Sequence, residues 1–263
     1  MFNKLPLPLK SSLRPQSDRV ASVRRVLTRP GRDAVTGEHD ECLRQLAIFS
    51  NLSPVDCREI LAAAREKRFL RREVVFLEGV PCRQVLLVLS GCIKTTQLGP
   101  TGCEVMLRLS GPGELVGALE SYLGTNNLLT ARTTQQPTTA LVWDASTFES
   151  LSDRYPNLRR NTTRFLGLCL QQLEERFREI STQRVAPRLS SQLIRLSNQM
   201  RPHTKGVLEI GLSREELAQL TGTTLFTVSR LLSEWERLGI VNTRREAVIV
   251  QNFQALIELS EAG

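Results

Sequence analysis

The residue types best suited to chemistry in this chain stand together in the stretch Ser213–Val241, and the chemistry they suit is recognition rather than catalysis. Ser213 and Glu216 have the Ser-x-x-Glu spacing of a capping box, which opens a helix whose core face is Leu217 and Leu220. Ala218 sits where a second helix must cross closely, and Gly222 falls four residues later at a sharp turn. Thr223-Thr224 then cap a second helix, with Val228, Leu231, Leu232 and Trp235 facing inward. This is the spacing of a helix-turn-helix; an ordinary helical hairpin is the alternative. On the outward face, Arg230 lies one turn past Phe226. A guanidinium fork donates to both major-groove acceptors of guanine at once, and a phenyl ring packs against a thymine methyl. Further on, the charged turn Arg244-Arg245-Glu246 separates Val241 from Ala247–Val250 and reads as a β-hairpin wing, where Arg244 would meet phosphate.

Other chemistry finds little support. Six cysteines fall at 42, 57, 82, 92, 103 and 169, with no two separated by two residues, and the chain has only two histidines, so paired-cysteine zinc and redox motifs are absent. The thiols read as small packed hydrophobes, with oxidation of pairs such as Cys42 and Cys57 or Cys92 and Cys103 as the competing reading. His39 and His203 read as surface residues, no His-x-His cluster exists to hold a cupin metal, and no catalytic constellation stands out.

The net charge of +8 resembles a nucleic-acid signal until it is divided along the chain. Residues 1–36 carry eight basic and two acidic groups, residues 37–183 seventeen of each, and residues 184–263 ten and eight. The excess therefore belongs to the tail 1–36, whose four prolines and lack of apolar period read as a disordered basic extension. With 41% apolar residues, no long apolar run and no signal-like start, the expected chain is a globular cytoplasmic protein without a membrane span.

The elements that must position the recognition stretch follow from changes of period. Glu38–Phe49 and Pro54–Arg65 read as short helices, the second capped by Ser53 with proline at its first position. From about Phe69, short runs (Val74–Phe76, Val85–Leu89, Cys92–Gln97, Val105–Leu109, Ala140–Trp143) alternate with glycine-rich corners, the pattern of an antiparallel barrel or jelly roll. At Pro156 the period becomes helical for about 25 residues. Leu166, Cys169, Leu173 and Ile180 form one stripe of that helix, with Phe165, Leu168 and Phe177 on a neighbouring face, an arrangement that suits a dimer seam. Val185–Gln199 is a further amphipathic helix, ended by Arg201-Pro202, and Val207–Ile210 a short strand. The expected class is α+β: a tail (1–36), a jelly-roll sensor domain (37–153), a long dimerisation helix (154–183) and a winged helix-turn-helix (184–263).

Taken in order, these pieces resemble the Crp/Fnr superfamily of bacterial transcription regulators over roughly residues 40–250. The carrying motifs are Phe76-x-Glu78-Gly79, Leu89-Ser90-Gly91, Gly102, Gly113-Glu114-x-x-Gly117, the segment Val185–Leu189 and the winged helix at Ser213–Val241. The resemblance implies a homodimer on double-stranded DNA, its recognition helices entering major grooves roughly 34 Å apart, and RNA polymerase as a further partner. The DNA-contacting residues it implies are Thr224, Phe226, Thr227, Ser229, Arg230 and Arg244. Ser229 and Arg230 match the family's recognition pattern, whereas Phe226 stands where a glutamate is usual, so the usual half-site is not expected.

The sensor departs further. In the cyclic-nucleotide branch a glutamate follows the cassette glycine and an Arg-Ser pair holds the phosphate; here Gly117 is followed by Ala118, and the pair falls on Leu129 and Thr130. Arg132 lies near, displaced by about 7 Å along a strand. The adenine-contacting hydroxyls align with Leu173 and Glu174. Cyclic AMP is therefore not expected, nor an iron–sulfur cluster on Cys42 and Cys57, nor haem without a barrel histidine. The leading expectation is an unidentified small-molecule effector in a pocket near Gly117, Ala118, Leu129, Thr130, Arg132 and Leu173. Thiol control and a constitutive dimer with a purely structural barrel are the alternatives.

Overall fold

The computed structural model describes residues 43, 45–100, 102–134, 137–200 and 208–262. The tail, Cys42, His39 and His203 lie outside the described residues, as does most of the helix expected over 38–49. Of that segment a single 3-10 turn, Ala47–Phe49, is described. Helix α1 spans Pro54–Ala62, opened by Ser53, whose hydroxyl accepts from the Asp56 amide. It ends three residues before the expected boundary because Arg65–Phe69 leaves it as strand β1, paired antiparallel along β8 (Thr138–Asp144).

Two four-stranded antiparallel sheets form the jelly roll. One runs β1-β8-β3-β6, with β3 at Gln84–Ser90 and β6 at Leu115–Val116. The other runs β2-β7-β4-β5, with β2 at Val74–Phe76, β4 at Ile93–Leu98, β5 at Glu104–Ser110 and β7 at Thr130–Thr133. Phe69, Leu86, Val88, Ile93, Ala131 and Val142 close the space between them. Strand β3 is covered on both faces, which explains its unbroken apolar run Val85–Leu89. Its second face packs under α1, α2 (Ala118–Leu123) and α3 (Ala145–Arg154), where the Trp143 indole donates to the Ile60 carbonyl at 2.8 Å.

Cys92 and Cys103 sit at opposite ends of the β4–β5 hairpin, where Ile93 pairs with Ser110 and Leu98 with Glu104. Cys103 lies opposite Gly99, seven strand steps from Cys92, so about 23 Å separates them, far beyond the Cα spacing of a disulfide within one chain. The competing reading of an oxidised Cys92–Cys103 pair therefore fails within one chain.

The long helix α4, Pro156–Thr182, runs 27 residues. It divides the stripe read from the sequence. Phe165 packs into the chain's own core and Cys169 turns toward Arg108 of the barrel, where burial raises its thiol pKa. Leu170 and Phe177 instead stand out at 57% and 72% exposure, beside Leu173 and Ile180. The correction is specific: Leu166, Leu170, Leu173, Phe177 and Ile180 recur at alternating steps of four and three, the heptad spacing, and Cys169 falls off that line.

Helix α5 (Val185–Met200) leads to the last domain: β9 (Leu208–Ile210), α6 (Arg214–Thr221), α7 (Leu225–Arg237), the wing strands β10 (Val241–Arg244) and β11 (Ala247–Val250), and α8 (Phe253–Glu261). This domain shares one apolar core with the outer face of the second barrel sheet, through Cys92, Met106 and Leu109. Among the described residues, no helix is long and apolar enough to cross a membrane.

Candidate DNA interface and the sensor clefts

The helix-turn-helix is built as its local signals require. Ser213 caps α6, its hydroxyl accepting from the Glu216 amide at 3.2 Å while Glu216 Oε2 accepts from the Ser213 amide at 2.9 Å. Gly222 ends α6 at φ 62°, and a Cβ there would approach Ile180 of α4 to 3.3 Å, so the turn needs glycine twice over. Val228, Leu231, Leu232 and Trp235 are buried, as expected.

The opposite face of α7 is open. Phe226 is 78% exposed, and the Arg230 side chain is exposed, resting 4.0 Å from Glu234. Ser229 is half-buried beside them. Thr224 and Thr227 hold the start of the helix together. Thr224 Oγ1 accepts from the Thr227 amide at 3.2 Å, and the two hydroxyls share a bond of 2.9 Å.

The wing is tied to this helix. Glu236 accepts from the Thr243 amide at 2.7 Å and from its hydroxyl at 2.9 Å, and these bonds hold its carboxyl below the usual range. Arg214 donates to the same hydroxyl at 3.0 Å. Arg244 lies exposed, 3.5 Å from Glu209. At the wing tip Glu246 meets Arg71 and Arg72 of the β1–β2 loop, so the barrel neutralises the acidic residue of the wing turn.

The expected effector residues do not form one site. Gly117, at φ 84°, sits against Gln84 and Phe76, and a Cβ there would strike the Gln84 carbonyl at 2.5 Å. Ala118, the first residue of α2, is buried in the core. On β7, Ala131 and Thr133 point inward and are fully buried, whereas Thr130 and Arg132 are half-buried on the other face. The Thr130 hydroxyl accepts from the Glu78 amide at 3.2 Å. Leu129 is half-buried at the head of the strand. Leu173 is elsewhere altogether: it lines a cleft of about 370 Å³ bounded by β5, α4, α5 and the end of α6.

At the junction of barrel, long helix and helix-turn-helix lie charged contacts that sequence reading missed. Lys94 of β4 donates to Glu216 Oε1 at 2.9 Å with both side chains nearly buried, joining barrel to helix-turn-helix. Arg195 grips Glu179 with two bonds of 2.6 Å, and Arg188 donates to the Thr221 carbonyl at 2.8 Å. Arg176 reaches the carbonyls of Met106, Leu107 and Leu220, and desolvation with Arg195 nearby pushes its pKa down to about 10. Partners so distant in sequence leave no local signal.

Comparison with known proteins agrees with this layout. Residues 66–155 match the family model of the cyclic nucleotide-binding domain, and residues 187–259 that of the Crp-like helix-turn-helix domain. A CRP-like cAMP-activated global transcriptional regulator of Mycobacterium tuberculosis is 26% identical over 220 residues, covering 82% of this chain and 97% of that one. The anaerobic regulatory protein of Pasteurella multocida is 26% identical over 200 residues, covering 74% and 72%. The solved structure of FixK2 from Bradyrhizobium japonicum superposes with a TM-score of 0.67 at 21% identity, covering 74% of this chain and 96% of that chain.

Proposed function

The chain belongs to the Crp/Fnr superfamily, DNA-binding transcription regulators rather than enzymes, and from that premise we propose a cytoplasmic homodimer that reads DNA through Phe226 and Arg230 and answers to an effector other than cyclic AMP. The observation that carries the reading is the contrast across α7: four large apolar side chains are buried behind it, while Phe226 and Arg230 stand open at its N-terminal half. An arginine at that position has reach and freedom to enter a major groove. Arg244 and the capping threonines would bind phosphate. RNA polymerase is the partner that such a regulator on its operator would address.

Cyclic AMP does not fit the residues present. Buried Ala118 has no group for a ribose hydroxyl, Arg132 faces away from the barrel interior, and Thr130 already accepts from Glu78. A phosphate held without a guanidinium would forgo charge-assisted bonds of about 1.5–3 kcal/mol each.

The exposed heptad line of α4 supports the dimer. Phe177→Asp would place unpaired charge at that seam in both copies, costing about 3–5 kcal/mol of association. Because Phe177 is open in the single chain, the fold should persist, and light scattering should give a monomer. Base reading is tested with Arg230→Ala across single-base operator variants. The expected loss is about 1–3 kcal/mol per half-site with preference relaxed at one guanine. Equal weakening of every variant would reduce Arg230 to a phosphate contact.

A further inference from the structure

The cleft between barrel, long helix and DNA-binding domain has a charge inventory that asks for a ligand. Arg108 is paired with Glu114 at 3.1 Å, and Arg195 with Glu179. Arg176 makes no ion pair among the described residues; the charge of Glu179 also acts on it, but that carboxylate is held by Arg195. Its three bonds go to backbone carbonyls, which carry only partial charge and use three of its five N–H donors. A desolvated guanidinium so placed remains protonated at neutral pH, since its pKa falls only to about 10. Three arginines and Glu114 line the walls, and with Glu179 held by Arg195 just behind them one positive charge is left over, surrounded by the amides of Gln172, Gln192 and Gln199 and by an apolar side that includes Leu173. At about 370 Å³ the cleft is of metabolite size, at the small end of ligand sites.

We propose that this interdomain cleft, not the barrel interior, is the effector site, and that it takes a small polar molecule whose carboxylate or phosphate oxygens pair with Arg176. The proposal rests on the regulator reading above and gives its effector a place and a chemical class. An oxyanion there would complete the guanidinium's charge balance through charge-assisted bonds, while the surrounding amides would meet the ligand's neutral polar groups. The site also has a route to DNA. Arg176 holds the Leu220 carbonyl at 2.7 Å, one residue before the end of α6, and the same arginine holds β5 of the barrel. A ligand on Arg176 therefore touches both domains at once, and any shift in their docking changes its affinity reciprocally.

The test is calorimetric titration of the full chain, free of DNA and at low ionic strength, with succinate and with glycerol 3-phosphate. Saturable binding of one of them, one per chain and in the millimolar range or tighter, is expected; which one binds separates a carboxylate from a phosphate effector. Arg176→Gln should weaken that binding at least about tenfold, and so should Gln172→Glu, which adds a repelling charge at the rim and leaves the Arg176–carbonyl bonds untouched. Thermal melts confirm that each variant is folded, and Arg164→Gln on the exposed side of α4 should bind as the parent does. No binding of either anion by about 10 mM, binding that survives both cleft variants, or binding lost instead in Arg132→Gln would overturn the site. Because no DNA is present, a chain that failed to recognise any operator would still report on the cleft. Binding that left operator affinity unchanged at saturation would overturn the effector role alone.

Discussion

The DNA-binding domain turns two charged faces to its surroundings, and they are built on opposite terms. Toward the long helix and β4, charges meet at 2.6–2.9 Å and are largely buried, as in Arg195 with Glu179 and Lys94 with Glu216, whereas the wing-tip contact of Glu246 with Arg71 and Arg72 stays open to solvent. Toward solvent the distances lengthen to 4.0 Å at Arg230–Glu234 and 3.5 Å at Arg244–Glu209, with all four side chains exposed. Exposed pairs of this kind contribute about 0–1 kcal/mol, so an outward arginine can leave its carboxylate for a base or phosphate almost without penalty. The inward ones cannot. Residue type alone would have put all of these arginines in one class; burial and distance sort them into fixings and tools.

Removing Lys94 should break the inward face most severely. Lys94→Met leaves Glu216 Oε1 buried without its cation, a loss of about 3 kcal/mol that chemical denaturation would register. The double variant Lys94→Met with Glu216→Gln should recover part of it, because no buried charge is then stranded. An unchanged midpoint in the single variant would show that the inward pair is no firmer than the outward ones.

Arg244→Ala probes the outward face. It should leave stability unchanged, weaken every DNA sequence alike and lower the salt slope of binding by about one unit. Sequence-selective weakening would move Arg244 from the phosphate class to base reading.

The smallest effect lies inside the DNA-binding domain, at Glu236. Its folded carboxyl is more acidic than its unfolded one, so its contribution is present above the ordinary carboxylate range and disappears as pH falls through the lowered value. Thr243→Val removes the hydroxyl bond and should flatten the acid limb of a stability–pH curve, leaving the neutral region less affected. An identical acid limb would show that the amide bond alone sets the shift.

How much of this was legible in the sequence depended on whether the information was local. The helix-turn-helix was, because a cap, a small residue, a turn glycine and four apolar positions all lie within 23 residues, Ser213 to Trp235. Strands β1 and β7 were not. Arg65–Arg68 are charged and exposed along an edge, and Thr130–Thr133 carries no large apolar residue, so each is fixed by its partner's register rather than by its own pattern. Helix α4 was found, and Leu166, Leu173 and Ile180 of its stripe lie on the outward line; Cys169 does not, since it turns toward Arg108 on a strand distant in sequence. The Arg176 cleft was illegible for the same reason: its walls come from segments starting at Leu107, Cys169, Gln192 and Leu220.

Glu216 serves two structures with its two oxygens: Oε2 closes the cap on α6 and Oε1 receives Lys94. This coupling constrains evolution. A lineage adjusting how firmly its DNA-binding domain is held cannot do so at position 216, glutamine apart, without also loosening the start of the helix-turn-helix. The freedom to vary lies at position 94, where a change of length or charge alters the docking and leaves the cap intact. In a library randomised at both sites and selected for DNA binding, position 216 should return to glutamate where position 94 stays basic and to glutamine where it does not, since both close the cap.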